Sequence, residues 1–362
     1  MNVLGLHHIT LVSSNAQRTV DFYVKVLGLR FVKQTVNFDD PSAYHLYFGD
    51  ATGSPGSAIT FFEWAHAGRH RHGIGGTHHL ALRVPTYEGL LKWKRRLTDL
   101  GIAVNGPLDR NYFKSLYFTD PDGVILEIAT DGPGWTVDES EALIGTSFQA
   151  PPEAMLVANR DREAIENTTW GEPVPTITAD MALMHGMHHI TAISSNIERT
   201  HDYLSGVLGL RRVKMTANFD DPTSAHWYWG AENGKPGTII TYFERDPRKT
   251  PRAVVGVGST HHFAFAVADE EAQTYFRERL MAHGYRVSPI TNRDYFKSIY
   301  TTDPDGHIVE MATVGPGFAI DEDVETLGQT LQLPEWLRPH REQIERGLTP
   351  LVVPAWRMPE SE

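Results

Sequence analysis

A chain of 362 residues with 41% hydrophobic and 22% charged residues is ordinary globular material, long enough for two domains with buried cores, and disorder is excluded. A net charge of −12 removes the basic footprint of a nucleic-acid binder and disfavours anionic membranes, which leaves small organic molecules as the expected partners. Cysteine is absent, so there are no disulfides and no thiolate sites; a metal would have to be held by His, Asp or Glu, donors suited to Fe(II), Mn(II) or Zn(II).

The N-terminus, MNVLGLHHIT, has neither a basic leader nor a long apolar run. No window approaches the roughly 18–20 apolar residues that span a bilayer, so a cytoplasmic location is expected. The composition leaves a homo-oligomer open. HHITLVS (7–13) alternates as a strand, and NAQRTVDFYVKVLGL (15–29) has helical spacing that ends at Gly28. Three strand-like segments follow, FVKQTVNF, YHLYFGD and SAITFFEW, and then a His-, Gly- and Arg-rich stretch, HAGRHRHG (66–73), that reads as a solvated loop or lid. THHLALRV is a strand, YEGLLKWKRRLTDLG a helix ending on Gly101, and KSLYF-TDPDG-VILEIA a hairpin around an Asp-Pro-Asp-Gly turn.

Residues 136–183 are rich in Pro and acidic residues and read as an arm packed on the modules. Then the chain repeats itself: HHIT returns at 188–191, NFDDP (37–41) at 218–222, THH (77–79) at 260–262, and YFKS…DPDG at 295–306. A matching extension occupies 319–362. The pattern predicts an α+β fold of four βαβββ modules, two in a first repeat (1–135) and two in a second (184–318).

Alternation on the strands selects the residues that carry chemistry. His8 and Thr10 share the face opposite the apolar Ile9 and Leu11. His262 shares its face with Ala264 and Ala266, small residues that leave open space. Glu310 lies mid-strand among apolar residues, where a lone carboxylate is prohibitively costly unless paired or metal-bound. Two imidazoles and one carboxylate form the facial triad of non-haem Fe(II) oxygenases. The other repeat copies supply an equivalent second set, His79, Glu127 and His189. A single strand histidine is usually a hydrogen-bonded core group; a complete set at matching positions points to metal. The residues alone leave the grouping open, because His8–His79–Glu127 with His189–His262–Glu310 is equally complete. By the same alternation His7 and His261 should point away from the cup. His45 and His226 read as structural hydrogen-bonding groups, Glu63 and Glu244 as strand ends meeting solvent, and Phe38, Tyr47 and Trp227 equally as an apolar wall or as core packing. HExxH, P-loop, GxGxxG and GxSxG motifs are missing.

The four modules, the HHIT opening, VKQTVNFDDPSAYHLYFGD and the closing HH…E resemble the vicinal oxygen chelate (glyoxalase/extradiol dioxygenase) superfamily, and within it the ring-cleaving dioxygenases that act on hydroquinones. The resemblance covers nearly the whole chain. It implies cup-shaped mixed sheets with helices outside, pairing of the first module with the fourth, and a metal held by His8, His262 and Glu310. It further implies Fe(II), with Mn(II) as the alternative, a small diphenol and O2 as partners, and catalytic roles for His7, Thr10, His261, Arg293 and Tyr300. Arg110 and Tyr117 stand at the matching positions of the other copy. The remaining readings are a glyoxalase-type isomerase or lyase, which usually needs two carboxylates, and a non-catalytic binding protein.

Overall fold

The computed structural model describes residues 1–359; the last three residues of the expected C-terminal extension, 360–362, lie outside the described residues. The first module is β1 (Gly5–Ser13), α1 (Ala16–Asp21), β2 (Arg30–Asn37), β3 (Asp40–Gly49) and β4 (Ala58–Glu63). The second is β5 (Thr77–Val84), α2 (Tyr87–Asp99), β6 (Asn105–Asp109), β7 (Lys114–Thr119) and β8 (Ile125–Thr130). A short helix α3 (Arg162–Asn167) lies in the connecting extension. The third module is β9 (Met187–Ser194), α4 (Ile197–His201), β10 (Arg211–Asn218), β11 (Asp221–Gly230) and β12 (Ile239–Glu244). The fourth is β13 (Thr260–Val267), α5 (Glu270–Ala282), β14 (Thr291–Asn292), β15 (Lys297–Thr302) and β16 (Ile308–Thr313), and α6 (Arg341–Gly347) closes the chain.

These elements form two curled eight-stranded mixed sheets. One sheet runs β14-β15-β16-β13-β1-β4-β3-β2 and so joins the first module to the fourth; the other runs β10-β11-β12-β9-β5-β8-β7-β6 and joins the third to the second. Each repeat therefore contributes half of both sheets. At the centre of each, two module-opening strands pair antiparallel, β1 with β13 and β5 with β9.

The convex faces hold the main core, where Ile9, Leu11, Phe61, Phe263 and Phe265 are essentially inaccessible. Each such side chain contributes roughly 1.5–3 kcal/mol of apolar burial. The first helix is shorter than its sequence pattern predicts. Asn15 caps α1 by accepting from the Arg18 amide, but after six residues the turn widens to a π-helical stretch over Phe22–Val26. Gly28, at φ +73°, then reverses the chain in a conformation that side chains strain to adopt. The third strand begins earlier than expected, at Asp40, because Asn37 and Asp40 pair directly across a tight turn.

The extensions seal the sheet edges. Gln34 on edge strand β2 bridges to Leu331, and Met215 on edge strand β10 bridges to Phe148, which covers backbone groups that would otherwise template aggregation. Buried Lys33 is held by Asp321 and Glu322, and buried Lys214 by Asp138 and Glu139. The HAGRHRHG stretch is a solvated loop, exposed at His66, Gly68, Arg69, Arg71 and His72. It runs against residues 252–257 of the other repeat through bridges at Arg69, Arg71 and Ile74, tying the two sheets together. Among the described residues no helix is long and apolar enough to cross a membrane.

Candidate metal centre

His8 on β1, His262 on β13 and Glu310 on β16 lie on three neighbouring strands of one sheet. His8 and Glu310 both stand opposite Ala264 in the strand register, so a buried methyl group separates them and leaves the space between open. The three side chains converge: His8 Nε2 is 3.3 Å from His262 Nε2, and Glu310 Oε2 lies 3.3 Å from the first and 3.0 Å from the second. In the other sheet His79 Nε2 and His189 Nε2 are 3.2 Å apart, with Glu127 Oε2 at 2.9 and 3.3 Å. The sheet topology thus groups each His-Glu pair with the histidine of the module across the centre.

Proton placement shows what these triangles fit. His7 Nε2 lies 3.1 Å from the Thr313 carbonyl oxygen, which can only accept, so the His7 proton sits on Nε2. His7 Nδ1 is then an acceptor for His8 Nδ1–H at 2.9 Å, and His8 Nε2 faces Glu310 as a bare lone pair. Ser298 Oγ donates to Glu310 Oε1, which leaves Oε2, completely buried, with no hydrogen-bond partner. Ser115 and Glu127 repeat the arrangement. His8 Nε2 and Glu310 Oε2, 3.3 Å apart in a dry interior, are then two lone pairs that repel unless a cation lies between them. The spacing is also telling. Ligand atoms bound at roughly 2.1 Å and at right angles stand about 3.0 Å apart, against about 3.4 Å for tetrahedral angles. The observed 2.9–3.3 Å spans the interval between the two, so one ion can reach all three atoms of each triangle.

The electrostatics agree with that donor set. Burial opposes ionisation of Glu310, but His8 and His262 outweigh it and hold the carboxyl well below the ordinary range. Burial lowers the His262 imidazole despite the pull of Glu310. Burial and the neighbouring His8 bring His7 to about 3, and burial with His262 brings His261 to about 4, so both stay neutral at physiological pH.

Alternation misplaces His7 and His261. The register slips by one at the first histidine of every doublet, between Leu6 and His8, Thr77 and His79, Ala81 and Leu82 (opposite His189 and Met187), and Thr10 and Leu11 (opposite His262 and Thr260). Each slip is a β-bulge, which turns two consecutive side chains to one side of the sheet. The Nδ1 atoms of the paired rings accordingly meet at 2.8–2.9 Å in all four doublets. His261 lines the cavity above the triad, and His7 lies behind His8, against Phe296.

That cavity has a volume of about 280 Å³ and is walled by Phe38, Phe62, Trp64 and Phe296, with Arg293 and Tyr300 across from them. Phe62 and Trp64 stack at 5.7 Å. Arg293 Nε donates to Tyr300 Oη at 3.2 Å. Burial, then the Glu310 charge, push the Tyr300 phenol upward, so it remains a proton donor. Thr10 Oγ1 is 3.0 Å from His262 Nε2 and continues through Thr60 to His45 and Tyr47. Sequence reasoning missed Ser298, Ser115 and Thr60. Counting back from the Asp-Pro-Asp-Gly turn places Tyr300 opposite Glu310 and Ser298 two residues on, so that signal was present. Tyr47 and Phe38 do wall the cavity, whereas Trp227 faces the helix side, beneath Arg212 at 4.7 Å. Glu63 and Glu244 do not end in solvent: they accept the Ala16 and Ile197 amides at helix starts.

Residues 5–128 and 186–311 match the family described as the Glyoxalase/Bleomycin resistance protein/Dioxygenase superfamily. MhqO of Bacillus subtilis (strain 168), named as a ring-cleaving dioxygenase, is 36% identical over 356 residues, 97% of each chain. The chlorohydroquinone/hydroquinone 1,2-dioxygenase of Sphingobium indicum is 30% identical over 97% of this chain and 98% of its own. A crystal structure from Bacillus subtilis, described as that of a dioxygenase, superposes with a TM-score of 0.77 at 33% identity over 98% of this chain and 99% of the other. Glyoxalase I from Zea mays, at 14% identity and a TM-score of 0.54 over 85% of this chain and 92% of its own, shares the fold alone.

Proposed function

The chain belongs to the Glyoxalase/Bleomycin resistance protein/Dioxygenase superfamily, and on that footing we propose that the cavity over His8, His262 and Glu310 is the active site of an Fe(II)-dependent dioxygenase. It opens a hydroquinone-type or related diphenol with O2, the two oxygen atoms ending on the carbons of the broken ring bond. The observation that carries the reading is the buried facial triangle beneath an aromatic cavity containing Arg293, Tyr300 and His261. Relatives named as ring-cleaving dioxygenases support it. Mn(II) suits the same donors. Bound there, the metal would supply a Lewis acid for the diphenol oxygens and an electron relay to O2.

The chain's own groups do the rest. Phe62, Trp64 and Phe296 hold the ring in a dry slot, and the cavity exceeds the roughly 150 Å³ that suffices for benzene. Arg293 offers charge to an oxyanion that develops on the ring. Tyr300, its phenol proton retained and its oxygen fixed by Arg293 Nε, donates to substrate oxygen. His261 Nδ1 is occupied by His262 at 2.8 Å, which leaves Nε2 to exchange a proton with a substrate hydroxyl. His7 and Thr10 act through the ligands, as positioning residues. A glyoxalase-type isomerase would call for a second carboxylate, whereas each cluster of the described residues contains one, Glu310 or Glu127; Glu63 and Glu244 are engaged at helix starts. The acidic, cysteine-free composition supports a cytoplasmic setting.

Oxygen uptake by anaerobically purified, Fe(II)-loaded protein tests the reading. Hydroquinones should drive uptake in preference to catechols, Glu310→Gln should lose it together with metal, and Tyr300→Phe should lower turnover about 100-fold or more. A wild-type protein that binds iron yet consumes no oxygen with any diphenol sinks it.

A further inference from the structure

The second triangle lies beneath a differently built cavity. Phe113, Tyr117, Arg110, His226 and Tyr228 stand where the first has Phe296, Tyr300, Arg293, His45 and Tyr47, so the polar groups are retained. Two features of the wall differ. Arg245 occupies the position of Trp64, which replaces an aromatic plane by a cation. Its Nη1 is engaged by Asp221 Oδ2 and the Glu244 carbonyl, both at 3.3 Å, which leaves Nε and Nη2 as further donors.

The mouth differs as well. Asp220 is drawn in by Arg110 at 2.9 Å and Arg160 at 2.5 Å, and the adjacent Phe219 is buried. Its counterpart Asp39 is 79% exposed and sits 3.5 Å from Arg293. The resulting cavity measures about 130 Å³, against about 280 Å³ for the first. That is below the roughly 150 Å³ known to take a bare benzene ring, and two arginines line it. Glu127 Oε2, wholly buried and without a hydrogen-bond partner, points into the meeting place of His79 and His189.

We propose that His79, His189 and Glu127 hold a second divalent metal ion, and that this site takes a small non-aromatic anion, a 2-oxo or 2-hydroxy carboxylate, whose carboxylate pairs with Arg245. Two adjacent oxygens of such an anion can reach the metal, and the clamp of Arg110, Asp220 and Arg160 excludes a substituted ring. The chain then carries two unlike sites, one for a diphenol and one for an organic acid.

Metal analysis of Fe(II)-reconstituted protein decides the first half. Wild type should hold two ions per chain, Glu310→Gln and Glu127→Gln about one each, and the double variant none; Gln keeps the shape of the buried side chain. A Glu127→Gln chain that binds as much iron as wild type overturns the site. Anaerobic calorimetry on the Glu310→Gln protein decides the second half. Pyruvate should bind, hydroquinone should not, and Arg245→Trp should weaken pyruvate at least 10-fold. Hydroquinone binding as tightly as pyruvate, or pyruvate binding indifferent to Arg245→Trp, overturns the ligand class. Because oxygen uptake at the first site is a separate measurement, either reading can fail alone.

Discussion

His8 presents a bare nitrogen to Glu310 because its other ring nitrogen donates to His7, which the Thr313 carbonyl fixes in turn. Replacing His7 by Phe keeps an aromatic ring against Phe296, now 4.9 Å away, but removes the acceptor. The His8 proton can then sit on either nitrogen. Iron affinity should fall roughly 10- to 100-fold, as is typical when the group behind a metal-ligating histidine is lost. Competition with a chelator measures it, and an unchanged affinity rules the relay out. The three residues of each triangle were legible in the sequence because alternation places them on the strand face opposite the apolar core residues, and the repeat supplies the complete set twice. His7 and His261 were not, since alternation counts one residue per step and a bulge inserts an extra one. The doublet, four times repeated, was the available sign. Ser298 was missed for another reason: its partner follows from the register of the hairpin counted back from the turn, and not from its own strand.

The turn of that hairpin is built in two versions, which makes it an internal experiment on a buried ion pair. In the fourth module His307 Nδ1 lies 2.7 Å from Asp303 Oδ2, which also accepts from Tyr242. In the second module Val124 takes the histidine's place in the Asp-Pro-Asp-Gly sequence, and burial raises the Asp120 carboxyl to about 6. Burial would do the same to Asp303, but His307 outweighs it and lowers that carboxyl; Asp303 in turn raises His307 against its own burial. A lowered carboxyl stabilises the fold above its unfolded value of 3.8 and loses that contribution as pH falls through the folded value. A raised histidine stabilises below its unfolded 6.5 and loses its contribution as pH rises through the folded value. Both are fully present only between those limits. His307→Val should therefore cost on the order of 3 kcal/mol near pH 5, and less on either side, in urea unfolding of metal-free protein. A deficit that does not vary with pH would show that packing, and not charge, holds the turn. At this scale the strands and the longer helices follow from periodicity, whereas the π-helical turn over Phe22–Val26 does not. Its apolar spacing is indistinguishable from that of an α-helix over so short a run.

Which modules share a sheet could not be read from the residues, and the reason is the duplication itself. Each repeat carries the same two kinds of half-site: an opening strand with one histidine, and a later pair with a histidine and a glutamate. Either grouping completes two triangles, so chemistry does not choose between them. In the folded chain each central seam joins opening strands from different repeats, β1 to β13 and β5 to β9. Cutting between residues 183 and 184 consequently leaves β1 and β5 without those neighbours, and no compact half-molecule remains. The exposed edges are nonetheless complementary. On β1, His8 faces Ala264 and Thr10 faces His262; on β5, Ala81 faces His189 and His79 faces Thr191, the same register on repeat-related residues. Two copies of a fragment spanning 1–183 can pair β1 of one with β5 of the other, bringing His8 against His79 and Glu127. Such a fragment should sediment as a dimer and bind two iron ions per dimer, with the affinity lost in Glu127→Gln. Long unpaired strand edges are poorly tolerated in water, so a folded, metal-free monomer in the ultracentrifuge would show that the seam between repeats is not what completes the fold.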